Sequence, residues 1–120
     1  MPTVEQPQRP SDPGALAQRL VEVSTDARAA VLLDASGEPA VAGGPAREQE
    51  LVEGARELMR AVDRAAGEPP AELEAQVLGG SIFAVRGSRW TLVAIARRSA
   101  LASLMLYDMR ALLGGLEQAA

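Results

Sequence analysis

A chain of 120 residues and 12.5 kDa has material for one small domain around one hydrophobic core, which excludes a second catalytic domain. It contains no cysteine and no histidine, so disulfides, thiolate metal sites and the commonest general base are all absent. All 12 basic residues are arginine, and a net charge of −4 argues against the clustered positive charge that nucleic acid requires.

Hydrophobic residues make up 48% of the chain, yet Phe83, Trp90 and Tyr107 are its only aromatics, so the core must be aliphatic. The abundance of Ala, Arg, Gly and Pro suggests a GC-rich, bacterial coding sequence. Residues 1–12 are rich in proline and polar side chains and have no apolar segment of the kind a secretory signal needs; they are expected to form a flexible tail. No apolar run approaches the roughly 20 residues of a membrane span, and the reading is a soluble, cytoplasmic protein with the domain at 13–120.

Ser11 or Asp12 can cap a first helix with Pro13 in its opening turn, and Leu16, Leu20 and Val23 then recur at helical spacing. Residues 29–33 form a compact apolar run suited to a buried strand. Asp34-Ala35-Ser36-Gly37 is turn chemistry, and residues 38–42 run back, which predicts a β-hairpin. Gly43-Gly44-Pro45 ends that strand.

Over residues 46–66, Leu51, Val52, Ala55, Leu58, Met59 and Val62 share one arc of a helical wheel, while charged residues fill the other. Gly67 is a natural C-cap, and Pro69-Pro70 prevents continuation. Three strand-like runs follow at 73–78, 81–86 and 90–96, with joints short enough for antiparallel hairpins. A last helix over 100–116 carries Leu101, Met105, Leu112 and Leu116 on one face, flanked by Leu104, Met109 and Leu113, and ends at Gly114-Gly115 or just beyond. The order α-β-β-α-β-β-β-α, with helices over five antiparallel strands, is that of an α+β domain.

No catalytic constellation emerges from these residues. A phosphate-binding glycine loop needs converging N–H groups and a following Lys and Ser/Thr, whereas Gly43-Gly44 is followed by Pro45, Ala46 and Arg47. Gly79-Gly80-Ser81 lacks both a base and the Gly-X-Ser-X-Gly spacing. Asp34 has a turn-forming role already, and Asp108, beside the apolar arc of the last helix, calls for a structural salt bridge or hydrogen bond. No cofactor or metal is expected. On one edge of the second helix Gly54, Ala61 and Ala65 form a stripe of small side chains, a candidate dimer seam.

The hairpin AAVLLDASGEPAVAGG, the amphipathic LVEGARELMRAVDRAAG, the strands QVLGGSIFAVRGSRWTLVAIA and the closing SALASLMLYDMRALLGGL together resemble the Roadblock/LC7 family over about residues 13–118. The resemblance implies a profilin-like fold, a five-stranded antiparallel sheet with helices on both faces. It also implies a homodimer in which third strands pair and second helices lie side by side. Residues 73–78, namely Leu73, Glu74, Ala75, Gln76, Val77 and Leu78, would then join Gly54, Ala61 and Ala65 in the dimer interface. Bacterial relatives of this kind bind small Ras-like GTPases and modulate their nucleotide cycle, without a catalytic centre of their own. The outer face of the second helix, Glu53, Arg56, Glu57, Arg60 and Arg64, is the expected partner-binding surface. The competing expectation is a nucleotide-independent scaffold that joins other Roadblock proteins or a polarity or signalling complex. A small-ligand sensor is disfavoured by the low aromatic content and by the lack of an obvious polar cluster for a pocket. Neither a nucleic acid nor a membrane is an expected partner.

Overall fold

The computed structural model describes residues 13–37, 39–43, 49–67, 71–77 and 79–119. Helix α1 (Pro13–Val23) leads into strands β1 (Ala27–Leu33) and β2 (Pro39–Gly43), followed by α2 (Gln49–Ala66). Strands β3 (Glu72–Val77), β4 (Gly80–Arg86) and β5 (Thr91–Ala96) come next, and α3 (Ala102–Ala119) closes the chain. The expected tail at 1–12, the Gly44-Pro45 corner, the Pro69-Pro70 stop and Leu78 lie outside the described residues, as do the side chains of Leu51, Val52 and Ala55.

The five strands make one antiparallel sheet in the order β2-β1-β5-β4-β3. Because side chains alternate across a strand, each central strand feeds two cores. Leu32, Phe83, Val85, Leu92 and Ala94 point to one face and meet Leu16 and Leu20 of α1 and Met105, Met109, Leu113 and Leu116 of α3. Val31, Leu33, Ile82, Val93 and Ile95 point to the other face and meet Met59 of α2, with Leu58 packed against them. A strand covered on both faces is apolar at consecutive positions, as the runs in β1, β4 and β5 are. At the sheet edge, β3 alternates instead: Leu73, Ala75 and Val77 are half-buried against the α2-side core, while Glu72, Glu74 and Gln76 are exposed.

Turn chemistry sets the connections. Asp34 Oδ1 accepts from Ser36 N at 2.9 Å and from Ser36 Oγ at 2.7 Å, and Gly37 N donates to Asp34 O at 2.9 Å. Gly37 takes φ of 85°, and Gly67, at φ 76°, ends α2 in the left-handed conformation that glycine tolerates. Gly80 is glycine for a different reason: a Cβ there would lie 2.5 Å from the Ala96 carbonyl oxygen, so β4 and β5 close up only without it.

The last helix corrects two expectations. Leu101 and Leu104, assigned to or beside its apolar face, are 62% and 59% exposed; the buried line is Met105, Met109, Leu113 and Leu116. The helix starts at Ala102, so Leu101 precedes it, and apolar residues occupy so much of its circumference that periodicity does not choose the inward arc. It also continues through Gly114-Gly115 to Ala119. Two interior glycines cost about 1 kcal/mol each relative to alanine, an amount that burial of Leu113 and Leu116 on either side offsets. Val23, expected on the inner face of α1, is 43% exposed at that helix's end. No helix among the described residues is long and apolar enough to cross a membrane.

Candidate functional site

Strand β3 is one of the sheet's two edges, with β4 on one side of it and no described strand on the other. Such an edge needs a partner or a guard. It is also held firmly. Glu72 is ion-paired with Arg110 of α3, Arg86 N donates to Ala71 O at 2.8 Å, and Arg98 Nη2 donates to Val77 O at 3.0 Å. Arg28 Nη1 donates to Gly79 O at 2.9 Å in the turn beyond. A strand fixed at both ends loses little further backbone entropy on pairing, which favours its use as an interface.

On the α2 side of that edge, the helix presents Gly54, Ala61 and Ala65, all exposed, and a Cβ at Gly54 would meet nothing within 4 Å. The small-residue stripe faces open space, where another helix could approach closely. The five charged residues expected to recognise a partner do not behave alike. Glu53, Glu57 and Arg64 are exposed. Arg56 is folded inward: its side chain is 14% exposed, Nη1 pairs with Glu53 at 2.6 Å, and Nε donates to Gly37 O at 3.1 Å in the β1–β2 turn. Arg60, paired with Glu57 at 3.3 Å, lies between these extremes at 39%.

Three features escaped the sequence reading. Glu117 of α3 reaches the β4–β5 turn, where its carboxylate accepts from Ser88 N at 3.0 Å, Arg89 N at 2.8 Å, Trp90 N at 3.1 Å and Ser88 Oγ at 3.2 Å. Burial alone would raise the pKa of this carboxyl, but the combined backbone and hydroxyl donors outweigh it and hold the group below the ordinary glutamate range. A signal was present: an acid in a helix's last turn opposes the helix dipole and so asks for a partner. The second is a cleft of about 270 Å³ between the β1–β2 turn, α2 and the β4–β5 turn, lined in part by Arg56, Arg60, Arg86 and Arg89 together with Asp34 and Asp63. These arginines come from two segments far apart in sequence, so the polar cluster found wanting in the sequence is assembled only by the fold. The third is the outer surface of α3 and its approach, where Leu101, Leu104 and Tyr107 stand exposed. Asp108, expected to have a structural partner, is half-buried, and its side chain makes no ion pair or hydrogen bond to another described residue. Among the described residues no group of three or more acidic side chains is placed to hold a metal ion.

The fold has solved counterparts. A Roadblock/LC7 domain from Streptomyces avermitilis superposes with a TM-score of 0.69 at 23% identity, covering 90% of this chain and 97% of that one. MglB of Myxococcus xanthus gives 0.67 at 18% identity, over 88% of this chain and 91% of its own. The gliding protein MglB of Thermus thermophilus gives 0.62 at 20%, over 89% and 92%. No protein-family model matches the sequence, and neither does any protein of curated function. The chain therefore has the Roadblock/LC7 fold over nearly its whole described length.

Proposed function

We propose that this chain is a Roadblock/LC7 protein that acts without chemistry of its own, as a homodimer that binds a small Ras-like GTPase and shifts its nucleotide cycle or its location. The observations that carry the reading are the pinned, uncovered edge β3, whose Leu73, Ala75 and Val77 face the same side of the sheet as α2, and the exposed stripe of Gly54, Ala61 and Ala65 on that helix, on a fold shared with MglB. Pairing two β3 strands would extend the sheet across two protomers and bring the two α2 helices together over it. Glu57, Arg60 and Arg64 would then lie on a continuous charged surface, where complementary charge sets on-rate and partner choice more than affinity. The domain comprises residues 13–120, and the partner is met in the cytoplasm.

The test has two parts. Sedimentation equilibrium should return twice the chain mass, and a proline at Glu74, whose N–H points away from β4 toward the free edge, should lower it. Retention of GTPases from a bacterial lysate should then depend on whether GDP or a non-hydrolysable GTP analogue is present, because only a ligand with different affinities for two states shifts their balance. The variant Arg60→Glu, Arg64→Glu should lose that retention while keeping its fold and mass. Retention of signalling or Roadblock proteins without regard to nucleotide would favour the scaffold instead.

A further inference from the structure

At the free edge of β3, one charge stands without a counterpart among the described residues. Arg86 N donates to Ala71 O, so the peptide groups of residue 71 turn toward β4, and by alternation those of Glu72, Glu74 and Gln76 turn toward the free edge. The side chains of these three residues stand on the α3 side of the sheet, opposite the α2 side where Leu73, Ala75 and Val77 pack. Glu72 is ion-paired with Arg110 of α3, and Gln76 is neutral. Glu74 is exposed, and its side chain makes no ion pair or hydrogen bond to another described residue. Its neighbour across the ladder is Phe83, with Val85 and Ser81 opposite Glu72 and Gln76, so β4 offers it no cation.

We propose that Glu74 sets partner choice at this edge, because in the homodimer it meets its own copy. The inference rests on the β3-paired homodimer argued above. With both α2 helices on one side of the joined sheet, residues opposite each other across the two-fold axis share a face, so even-numbered positions meet even-numbered ones. Centring the axis on Glu74 sets Glu72 against Gln76 of the partner subunit and Glu74 against Glu74 of the partner subunit. Every outward-turned peptide group of β3 is then hydrogen-bonded. Sliding the pair so that Glu74 meets the partner's Gln76 forfeits two of those backbone hydrogen bonds, which outweigh the relief of one exposed like-charge pair. Sliding it the other way sets Glu74 against the partner's Glu72 and makes two acidic pairs in place of one. In the centred arrangement the two Glu74 carboxylates rise from Cα atoms about 5.5 Å apart. The nearby Arg110 is already committed to Glu72. Like charges directly opposite weaken a strand pair, so β3 joins its own copy against a local repulsion and joins more tightly a strand that places lysine or arginine opposite Glu74. A charge on an open edge also discourages indiscriminate pairing, so one residue both guards the free protomer and selects its partner.

The experiment uses the full chain as wild type, Glu74→Gln and Glu74→Lys. Sedimentation equilibrium at low salt should give Glu74→Gln a dimer dissociation constant about two- to fivefold below that of the wild type, and added salt should narrow the gap by screening the repulsion. An equal mixture of wild type and Glu74→Lys, one of them isotopically labelled, should show more heterodimer in native mass spectrometry than random pairing gives. The register is read separately. The chain has no cysteine, so Glu74→Cys should oxidise to a disulfide-linked dimer and Gln76→Cys should not. Monomers at every concentration would sink the homodimer and this inference with it. A wild-type dimer whose affinity Glu74→Gln leaves unmoved, and which mixes at random with Glu74→Lys, would leave the homodimer standing and overturn the role of Glu74. Linkage through Gln76→Cys in place of Glu74→Cys would overturn the centred pairing on which that role depends.

Discussion

The two helical layers cover the same sheet in different ways. The α1/α3 layer contributes Leu16, Ala17, Leu20, Met105, Met109, Leu113 and Leu116 to a continuous buried core, whereas Met59 is the fully buried described residue of α2. Polar ties supplement that packing on the α2 side, through Arg56 to the β1–β2 turn and Asp63 to Arg86 of β4. The difference separates two jobs: one layer secures the fold through apolar area, and the other is positioned by directional bonds that leave its outer surface charged. A partner surface built on the second layer can vary without touching the main core.

The largest expected effects test that division. Phe83 is fully buried on the α1/α3 side, and Phe83→Ala should destabilise the domain by about 3–5 kcal/mol. That is a large share of the roughly 5–15 kcal/mol a small domain possesses, so the variant should populate unfolded chain at room temperature. Met59→Ala, on the α2 side, should cost less, about 2–3 kcal/mol, because the edge of that layer can relax into the space. Urea unfolding followed by circular dichroism measures both. Equal losses would mean that the two layers bear the fold equally.

Gly80→Ala comes next. The new methyl would press on the Ala96 carbonyl, a backbone atom that cannot swing away, and a loss of about 1–3 kcal/mol follows from the forced shift. Gly54→Ala, with open space around it, should stabilise α2 by up to about 1 kcal/mol in the isolated protomer. If the stripe meets a second helix, the same methyl should weaken self-association, so the two readings move in opposite directions.

A smaller effect belongs to the junction of α3 with the sheet. Removing the charge in Glu117→Gln should cost about 1–2 kcal/mol at neutral pH, by weakening hydrogen bonds to three backbone donors. Because the folded carboxyl has a lowered pKa, its contribution is complete above the unfolded glutamate's pKa. It declines as pH falls through that value toward the lower folded one, and it vanishes below. The gap between wild type and variant should therefore close on acidification and stay constant between neutral and mildly alkaline pH.

These regions also differ in how far the sequence disclosed them. Local chemistry was legible where one physical demand dominated: the Asp34-to-Gly37 turn, Gly67 at the end of α2, and the buried apolar runs of β4 and β5. It failed where the answer depends on residues distant in the chain. Arg56 looked like an outward charge on the wheel, yet the Gly37 carbonyl draws it in. The arginine cleft joins α2 to a turn far along the chain, and nothing local to either segment announces it. Glu117 stood between these cases, visible as an acid misplaced against a helix dipole but without an identifiable partner until the β4–β5 turn was in place.

The smallest expected effect is that of Leu104→Ala in α3, and it is read against its neighbour. Leu104 and Met105 are adjacent in sequence and similar in size, but Leu104 is 59% exposed and Met105 is 2% exposed. Met105 also accepts a hydrogen bond at its sulfur from Ser24 Oγ at 3.3 Å, which ties α3 to the end of α1. Met105→Ala should therefore cost about 2–4 kcal/mol, through lost burial, a cavity and an orphaned hydroxyl. Leu104→Ala should change stability by no more than about 0.5 kcal/mol, as surface substitutions do. Measured side by side in chemical unfolding, the pair reads the rotation of α3 directly. If Leu104→Ala proved the costlier change, the helix would be rotated about its axis from the arrangement described, and Tyr107 would turn with Leu104 toward the core.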